Sequence, residues 1–291
     1  MAASAEIPVP GMPALGGMRV LVTGASGGIG AGIARRFAAA GARVALHYRG
    51  AGAGSVAAVR ALRDELRAAG ADATAVRAEL AEPGAAARLV AAAADALGGL
   101  DGLVNNAGIQ PLAPLAETTR AEWDEVLGTN LGAVFELSRE AARVMCAGRD
   151  AAGETGAPAS AAAAGAPEAR RGDRWITHIA SIEARRPAPA HAHYAVAKAG
   201  VVMHARAAAL ELGPLGIRVN TVSPGLVDRP GLAEAWPEGV ASWLAHAPLG
   251  RLATPEDVGN ACVLLASPLA SFVTGQDLAV DGGMLATPGW G

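Results

Sequence analysis

The sequence predicts an α/β protein: one doubly wound parallel sheet of about seven strands with helices on both faces. Three observations carry this expectation. Short apolar runs alternate with helix-length stretches over most of the chain, which is the pattern of βαβ units. The first run ends in a glycine-rich turn that opens a helix. Seven such runs form a single series, which favours one domain over two in 291 residues.

The strands are expected at 18–24 (MRVLVTG), 43–48 (RVALHY), 73–78 (ATAVRA), 102–108 (GLVNNAG), 175–181 (WITHIAS), 217–223 (IRVNTVS) and 277–283 (DLAVDGG). Helices are expected near 28–40, 55–69, 84–97, 121–147, 192–213 and 255–266, with right-handed crossovers. Two segments break the rhythm. Residues 1–17 form a Pro/Gly/Ala lead-in. Residues 148–173 (GRDAAGETGAPASAAAAGAPEARRGD) contain no large apolar anchor. Such a composition does not bury enough surface to offset the entropy of ordering it. We read it as a flexible surface insertion within one domain spanning 18–291, rather than a linker between two.

Composition narrows the function classes. The net charge is −3 with both signs mixed, which argues against a nucleic-acid surface. No run of eighteen apolar residues is free of charge and proline, so no membrane span is expected. The first residues carry Glu6 and no basic stretch, unlike a secretory signal. Cys146 and Cys262 are isolated, without metal-site or disulfide spacing, and a reducing cytoplasm fits. The 24 basic residues are 23 arginines and one lysine, Lys198, which stands four positions after Tyr194, one of only two tyrosines.

Three motifs carry chemistry. In TGASGGIG (23–30), Gly24 permits a tight turn. Gly28 and Gly30 leave room for a pyrophosphate and for helix–strand packing, and the helix N-terminus offers free N–H groups. At the end of the second strand, 47–49 contain no acid to hold a ribose 2′-hydroxyl. They offer Arg49, which suits a 2′-phosphate, so NADP(H) is preferred and NAD(H) remains possible. In Tyr194-Ala-Val-Ala-Lys198, positions i and i+4 share a helix face. A nearby ammonium favours the phenolate and is expected to lower the phenol pKa, making Tyr194 a general acid or base.

Together with NNAG (105–108), Asn130 in TNLGAVF, Ser181 thirteen residues before Tyr194, and SPG (223–225), these motifs resemble the short-chain dehydrogenase/reductase family of the classical type. The match runs in order from about 18 to 284, and its nearest look is the beta-ketoacyl reductase and ketoreductase branch. The resemblance implies a Rossmann-type fold and metal-free hydride transfer between a nicotinamide and a carbonyl carbon. It implies a catalytic set of Asn130, Ser181, Tyr194 and Lys198. Ser181 holds the substrate oxygen, and Tyr194 moves the proton. Lys198 binds ribose hydroxyls and tunes Tyr194, and Asn130 holds a relay water. Cofactor contacts carried over are Gly24, Ser26, Gly28, Ile29, Gly30, Arg49, Glu79, Leu80, Asn106, Tyr194, Lys198, Pro224, Gly225 and Val227. Glu79-Leu80 stands where the family often has Asp followed by Val or Leu. Arg229 stands where it often has threonine.

The partner implied is a small carbonyl or alcohol substrate, with a homo-oligomer, tetramer or dimer, built from the two long helices and last strand. The pocket walls are expected from Ile109-Gln110-Pro111, Ser181 to Glu183, and a mobile lid at 226–250. Trp236 and Trp243 hint at an apolar or ring-containing substrate, or simply pack the lid on the body. His191 and His193 are expected at the surface or cavity rim, since two histidines are too few for a metal site. Arg185, Arg186 and Arg229 are the only candidates for a carrier-protein patch, so generic ketone or alcohol chemistry ranks above carrier-protein reduction. A sugar or steroid alcohol dehydrogenase is the alternative within the family. A non-catalytic dinucleotide-binding sensor or scaffold is the alternative outside it.

Overall fold

The computed structural model describes residues 13–50, 52–151 and 174–288. Most of the predicted lead-in and most of the predicted insertion at 148–173 lie outside the described residues. The end of the lead-in packs on the body: Leu15 is buried, and its N–H donates to the Ala40 carbonyl at 2.7 Å.

Seven parallel strands form one sheet: β1 Arg19–Val22, β2 Arg43–Tyr48, β3 Ala73–Arg77, β4 Gly102–Asn105, β5 Arg174–Ile179, β6 Ile217–Pro224 and β7 Asp277–Val280. Their order is β3-β2-β1-β4-β5-β6-β7, and every pairing is parallel. The direction of winding reverses between β1 and β4. In such sheets the connections after the two central strands leave to opposite faces and open a crevice at the strand C-termini.

Helices α1 Gly28–Ala39, α2 Ala53–Ala68, α3 Ala85–Leu97, α4 Arg120–Leu127, α5 Ala133–Ala151 and α6 Ala192–Leu212 follow the chain. The series ends with α7 Leu232–Ala235, α8 Pro237–His246 and α9 Pro255–Ala266. Alternation along the strands divides the core in two. Val20 and Val22 of β1 and Val44 and Leu46 of β2 pack with Ile33, Phe37, Leu62, Val258 and Cys262 of α1, α2 and α9. Leu21 and Ala45 face the other way, toward Leu89, Leu137, Met145 and Ala205 of α3, α5 and α6.

Small residues let the layers approach closely. A Cβ at Gly32 would collide with Pro255, and one at Gly259 would lie 2.9 Å from the Gly32 carbonyl oxygen, so α1 and α9 meet nearly backbone to backbone. A Cβ at Gly102 would collide with the indole of Trp175. That indole is fully buried and stacks on Phe37 with ring centroids 6.1 Å apart.

The structure departs from the sequence reading in three places. The helix expected at 121–147 is two helices, α4 and α5, joined by a wide π turn at Gly128–Gly132. The turn exists because Asn130, at its centre, bonds to a neighbouring loop instead of lying along a regular helix. The predicted strands 18–24, 102–108, 175–181 and 277–283 end early, at Val22, Asn105, Ile179 and Val280. Beyond Asn105 and Val280 no neighbouring strand offers a ladder, and the chain turns into the crevice. The predicted lid contains two short helices, α7 and α8. Among the described residues, no helix is long and apolar enough to cross a membrane.

Because Trp175 fills the space that Gly102 leaves, the two positions are expected to respond together. Trp175→Ala should cost about 3–5 kcal/mol in urea unfolding, and Gly102→Ala should also lower stability. Wild-type stability in Gly102→Ala would show that the indole is not held against that strand.

Candidate active site

The crevice is organised by a polar stitch between β1 and β4. The buried Thr23 hydroxyl donates to the Val104 carbonyl at 3.2 Å and accepts from the backbone N–H groups of Asn106 and Ala107 at 2.9 and 3.0 Å. The Asn106 side-chain amide donates to the carbonyls of Thr23 and Gly24 at 2.8 and 3.2 Å. Gly24 adopts φ +66°, a left-handed conformation that favours glycine. A Cβ at Gly30 would collide with the Gly24 carbonyl and the Asn106 amide. Asn106, expected along the adenosine, therefore also locks the glycine-rich turn.

Beyond this packed base the turn opens. A Cβ at Gly27 or Gly28 would meet nothing within 4 Å. The N-terminus of α1 has no side-chain cap and no acid in its first turn. Free N–H groups facing open space suit an anion, so these residues fit the pyrophosphate of a dinucleotide. Ser26 is half-buried on the turn, and Ile29 packs against the core.

One residue of this region was not singled out from the sequence. The buried His47 accepts the Gly24 N–H at its Nδ1 (3.2 Å), and its Nε2 donates to the Ala78 carbonyl at 3.1 Å. Burial lowers its pKa, which fits the neutral tautomer these bonds require. The end of β2 thus holds the first glycine of the turn. Arg49 is exposed there, with its guanidinium 3.9 Å from the Glu79 carboxylate. Arg77 donates to the Arg49 carbonyl at 3.4 Å. Leu80 is partly buried against the second core.

Asn130 is fully buried. Its amide oxygen accepts the Ile109 N–H, and its amide nitrogen donates to the Ile109 carbonyl, both at 2.8 Å. A Cβ at Gly108 would lie 2.7 Å from the Asn130 oxygen and 3.8 Å from Lys198 Nζ. The wide turn therefore brings Asn130 to the loop after β4, next to the lysine.

Ser181 follows β5. Its hydroxyl accepts the Glu183 N–H at 3.1 Å and lies beside the Tyr194 hydroxyl. Lys198 is buried, donates to the Ile179 carbonyl at 2.8 Å, and holds its ammonium 5.5 Å from the centre of the Tyr194 ring. The expected lowering of the phenol pKa is reversed in this geometry. Burial raises Tyr194 to about 12; the Ser181 hydroxyl opposes the rise and the Glu183 charge adds to it. Burial also lowers Lys198 to about 8. Desolvation of each charged form outweighs the neighbouring partner.

The remaining predicted residues also gather here. Pro224 ends β6, and the Gly225 N–H donates to Val280 at 2.9 Å. A Cβ at Gly225 would lie 2.5 Å from the Trp243 ring, so this tryptophan packs the lid onto the body. Trp236 packs against Gly239 of its own helical segment. Val227 pairs with Ala253, and Arg229 is exposed. His191 lies near Tyr194, with ring centroids 6.0 Å apart. His193 is not at a rim: it is fully buried and accepts the Tyr194 N–H at 2.9 Å. Helical phase turns it inward, because it precedes Tyr194 by one residue. Arg185 and Arg186 are tied to β7 and the segment after it, through Asp277, Met284 and Thr287.

A polar chain on the α5/α6 face was also not foreseen. Asn105 donates to His178 at 3.0 Å and to Ser138 at 3.2 Å, and His178 meets His204 at 3.1 Å. Burial lowers the pKa of His178 well below the usual range.

Residues 18–239 match the short chain dehydrogenase family model. The chain is 37% identical over 278 residues to 3beta-hydroxysteroid dehydrogenase 1 of Eggerthella lenta, covering 95% of this chain and 97% of that protein. It is 37% identical over 270 residues to L-rhamnose 1-dehydrogenase (NAD(P)(+)) of Azotobacter vinelandii, covering 91% and 95% respectively. A Beutenbergia cavernae structure, assigned as an NAD(P)-dependent gluconate 5-dehydrogenase with NADP bound at low occupancy, superposes with a TM-score of 0.80 at 37% identity. It covers 95% of this chain and 100% of that one. The chain belongs to the short-chain dehydrogenase family, a family of oxidoreductases acting on alcohol and ketone groups.

The shifted pKa values set a pH dependence for the dinucleotide-free protein. Lys198 is lowered from 10.5 to about 8, so above pH 8 the folded chain has lost a proton that the unfolded chain keeps. Its contribution to stability therefore rises with pH until about 10.5. Tyr194 is raised from 10 to about 12, so its contribution falls across that higher window. The stability of wild type relative to Lys198→Met should climb between pH 8 and 10 in urea titrations. A flat difference would mean that Lys198 keeps its ordinary pKa.

Proposed function

We propose that this chain is an NAD(P)(H)-dependent oxidoreductase that reduces a ketone, or oxidises the matching secondary alcohol, with Ser181, Tyr194, Lys198 and Asn130 as its catalytic set. One observation carries the proposal: these four side chains converge at the C-terminal end of the sheet, beside the open N-terminus of α1. Gly24, Ser26, Gly28, Ile29, Gly30, Asn106, Pro224, Gly225 and Val227 would hold the dinucleotide across that edge. When bound, it supplies the hydride.

The roles are those the family resemblance implies, and the placement of the side chains supports them. Ser181 Oγ–H points a donor at the substrate oxygen and stabilises the charge that develops on it during reduction. The Tyr194 hydroxyl gives its proton to that oxygen as the carbonyl carbon becomes a carbinol. In oxidation the same oxygen returns the proton to Tyr194. A phenol raised to about 12 is a proton donor as it stands. Lys198, with its ammonium under the ring, stabilises the phenolate left behind. Asn130 fixes the Ile109 loop and holds a place beside Lys198 for a relay water.

The preference for NADP(H) rests on Arg49, exposed at the end of β2 with Arg77 beside it. Glu79 near Arg49 offers a ribose-hydroxyl acceptor, which keeps NAD(H) usable. Exposed Phe135 on α5 and Val196, Met203 and Leu210 on α6 support a homo-oligomer, tetramer or dimer, through the long helices. We place the protein in the cytoplasm. Trp243 is engaged in packing the lid, while Trp236 stays half exposed, so only the latter still speaks for an apolar substrate. A sensor or scaffold without turnover would not need the complete Ser-Tyr-Lys-Asn set.

Two measurements test this reading. Tyr194→Phe should lower kcat for ketone reduction at least about a hundredfold while dinucleotide binding persists; near-normal turnover would refute the mechanism. Arg49→Ala should weaken NADPH binding about tenfold more than NADH binding, measured by fluorescence titration. An unchanged ratio would remove the cofactor preference.

A further inference from the structure

We infer that Gln110, Glu183 and His191 form a hydroxyl-recognition subsite beside Tyr194, and that the substrate is a polyhydroxylated ketone or alcohol. The inference rests on the oxidoreductase reading above and adds the substrate class.

Three separate segments at the sheet edge build this subsite. Gln110 follows β4, Glu183 follows Ser181, and His191 directly precedes α6. The Gln110 amide donates to Glu183 Oε1 at 3.0 Å, and His191 Nδ1 donates to Glu183 Oε2 at 2.8 Å. The carboxylate is therefore held in one orientation by two donors. The side chains of His191 and Glu183 are only 13% and 15% exposed. The backbone N–H of Glu183 bonds the Ser181 hydroxyl at 3.1 Å, and the His191 ring lies 6.0 Å from the Tyr194 ring. The subsite is thus fixed relative to the reacting carbon.

Its chemistry is one-sided. Each Glu183 oxygen keeps a lone pair after these bonds, and the exposed Gln110 keeps its amide oxygen as an acceptor. His191 Nε2 is buried without a hydrogen-bond partner. An orphaned buried nitrogen costs free energy, and a hydroxyl, which both donates and accepts, would satisfy it. The two cations next in sequence, Arg185 and Arg186, are committed to β7 and the segment after it. A site rich in acceptors, with its cations turned away, selects O–H groups and repels carboxylates and phosphates. A hydrocarbon flank, as on a plain cyclic ketone, would leave the remaining lone pairs of the Glu183 oxygens unused.

The test compares two ketones that differ by one hydroxyl, cyclohexanone and 2-hydroxycyclohexanone. Wild type should reduce the hydroxyketone with a kcat/KM at least about tenfold higher, the scale of a hydrogen bond to a charged group. Glu183→Ala and the milder Glu183→Gln should collapse that ratio toward one, and Gln110→Ala should lower it. Calorimetry should show trans-1,2-cyclohexanediol binding the dinucleotide-loaded wild type more tightly than cyclohexanol, with the difference lost in Glu183→Gln. Equal kcat/KM for the two ketones in wild type, or a ratio unchanged in both Glu183 variants, overturns the subsite and leaves the reductase reading standing. Reduction of neither ketone by protein that binds dinucleotide overturns the reductase reading and the subsite together.

Discussion

The site depends on one short stitch, the bonds between Thr23 and Asn106 that join the ends of the two central strands. At this point the winding of the sheet reverses, and the chain leaves β1 and β4 toward opposite faces. Without a tie the two loops would splay. Thr23 supplies one hydroxyl to two backbone N–H groups, and Asn106 returns its amide to two carbonyls. The cost of ordering two loops is thereby shared by a single buried cluster. The absence of a side chain at Gly30 is part of the same device, since any Cβ there would enter the cluster. His47 extends it to β2, so that three adjacent strands hold one glycine-rich turn.

Most of the fold was legible because its signals are local and redundant. The inner strands β1, β2, β4, β5 and β6 are buried on both faces and so read as compact apolar runs. TGASGGIG marks its own strand-to-helix junction. The four residues of the proposed catalytic set were legible through the resemblance, because their motifs stand in order along the chain. What escaped notice was mostly non-local. Nothing near position 47 says that its imidazole will meet the Gly24 N–H. Nothing in GTNLG announces a π turn, because that turn is set by Ile109, twenty-one residues earlier. His193 looked like a rim residue because only helical phase, not composition, turns it inward. The chain Gln110–Glu183–His191 draws on three loops whose meeting is a product of topology.

Burial decides the electrostatics of the site. Helical proximity alone says that a lysine near a phenol makes it more acidic. In the folded chain both groups are withdrawn from water, and desolvation pushes the phenol up and the ammonium down. The pair is held close to the point where a proton belongs to the tyrosine and the lysine is easily discharged. Any charge brought beside it, from a bound molecule or from Glu183, acts through a medium that screens poorly. A modest neighbour therefore has leverage here that it would lack on the surface.

The π turn at Gly128–Gly132 has a bearing on how this chain tolerates change in length. A π turn holds one more residue than the α-helical turn it replaces. Deleting one residue there would leave an ordinary α-helical turn and keep the facing of α5. Winding all the same residues as regular α-helix would instead turn α5 by about 100°, displacing Leu137, Ala141 and Met145, which now face the sheet, and bringing Glu136 and Glu140 toward it. The surplus residue thus acts as a phase-setting element. It sets the position of Asn130 and the facing of α5 together, so neither can drift without the other.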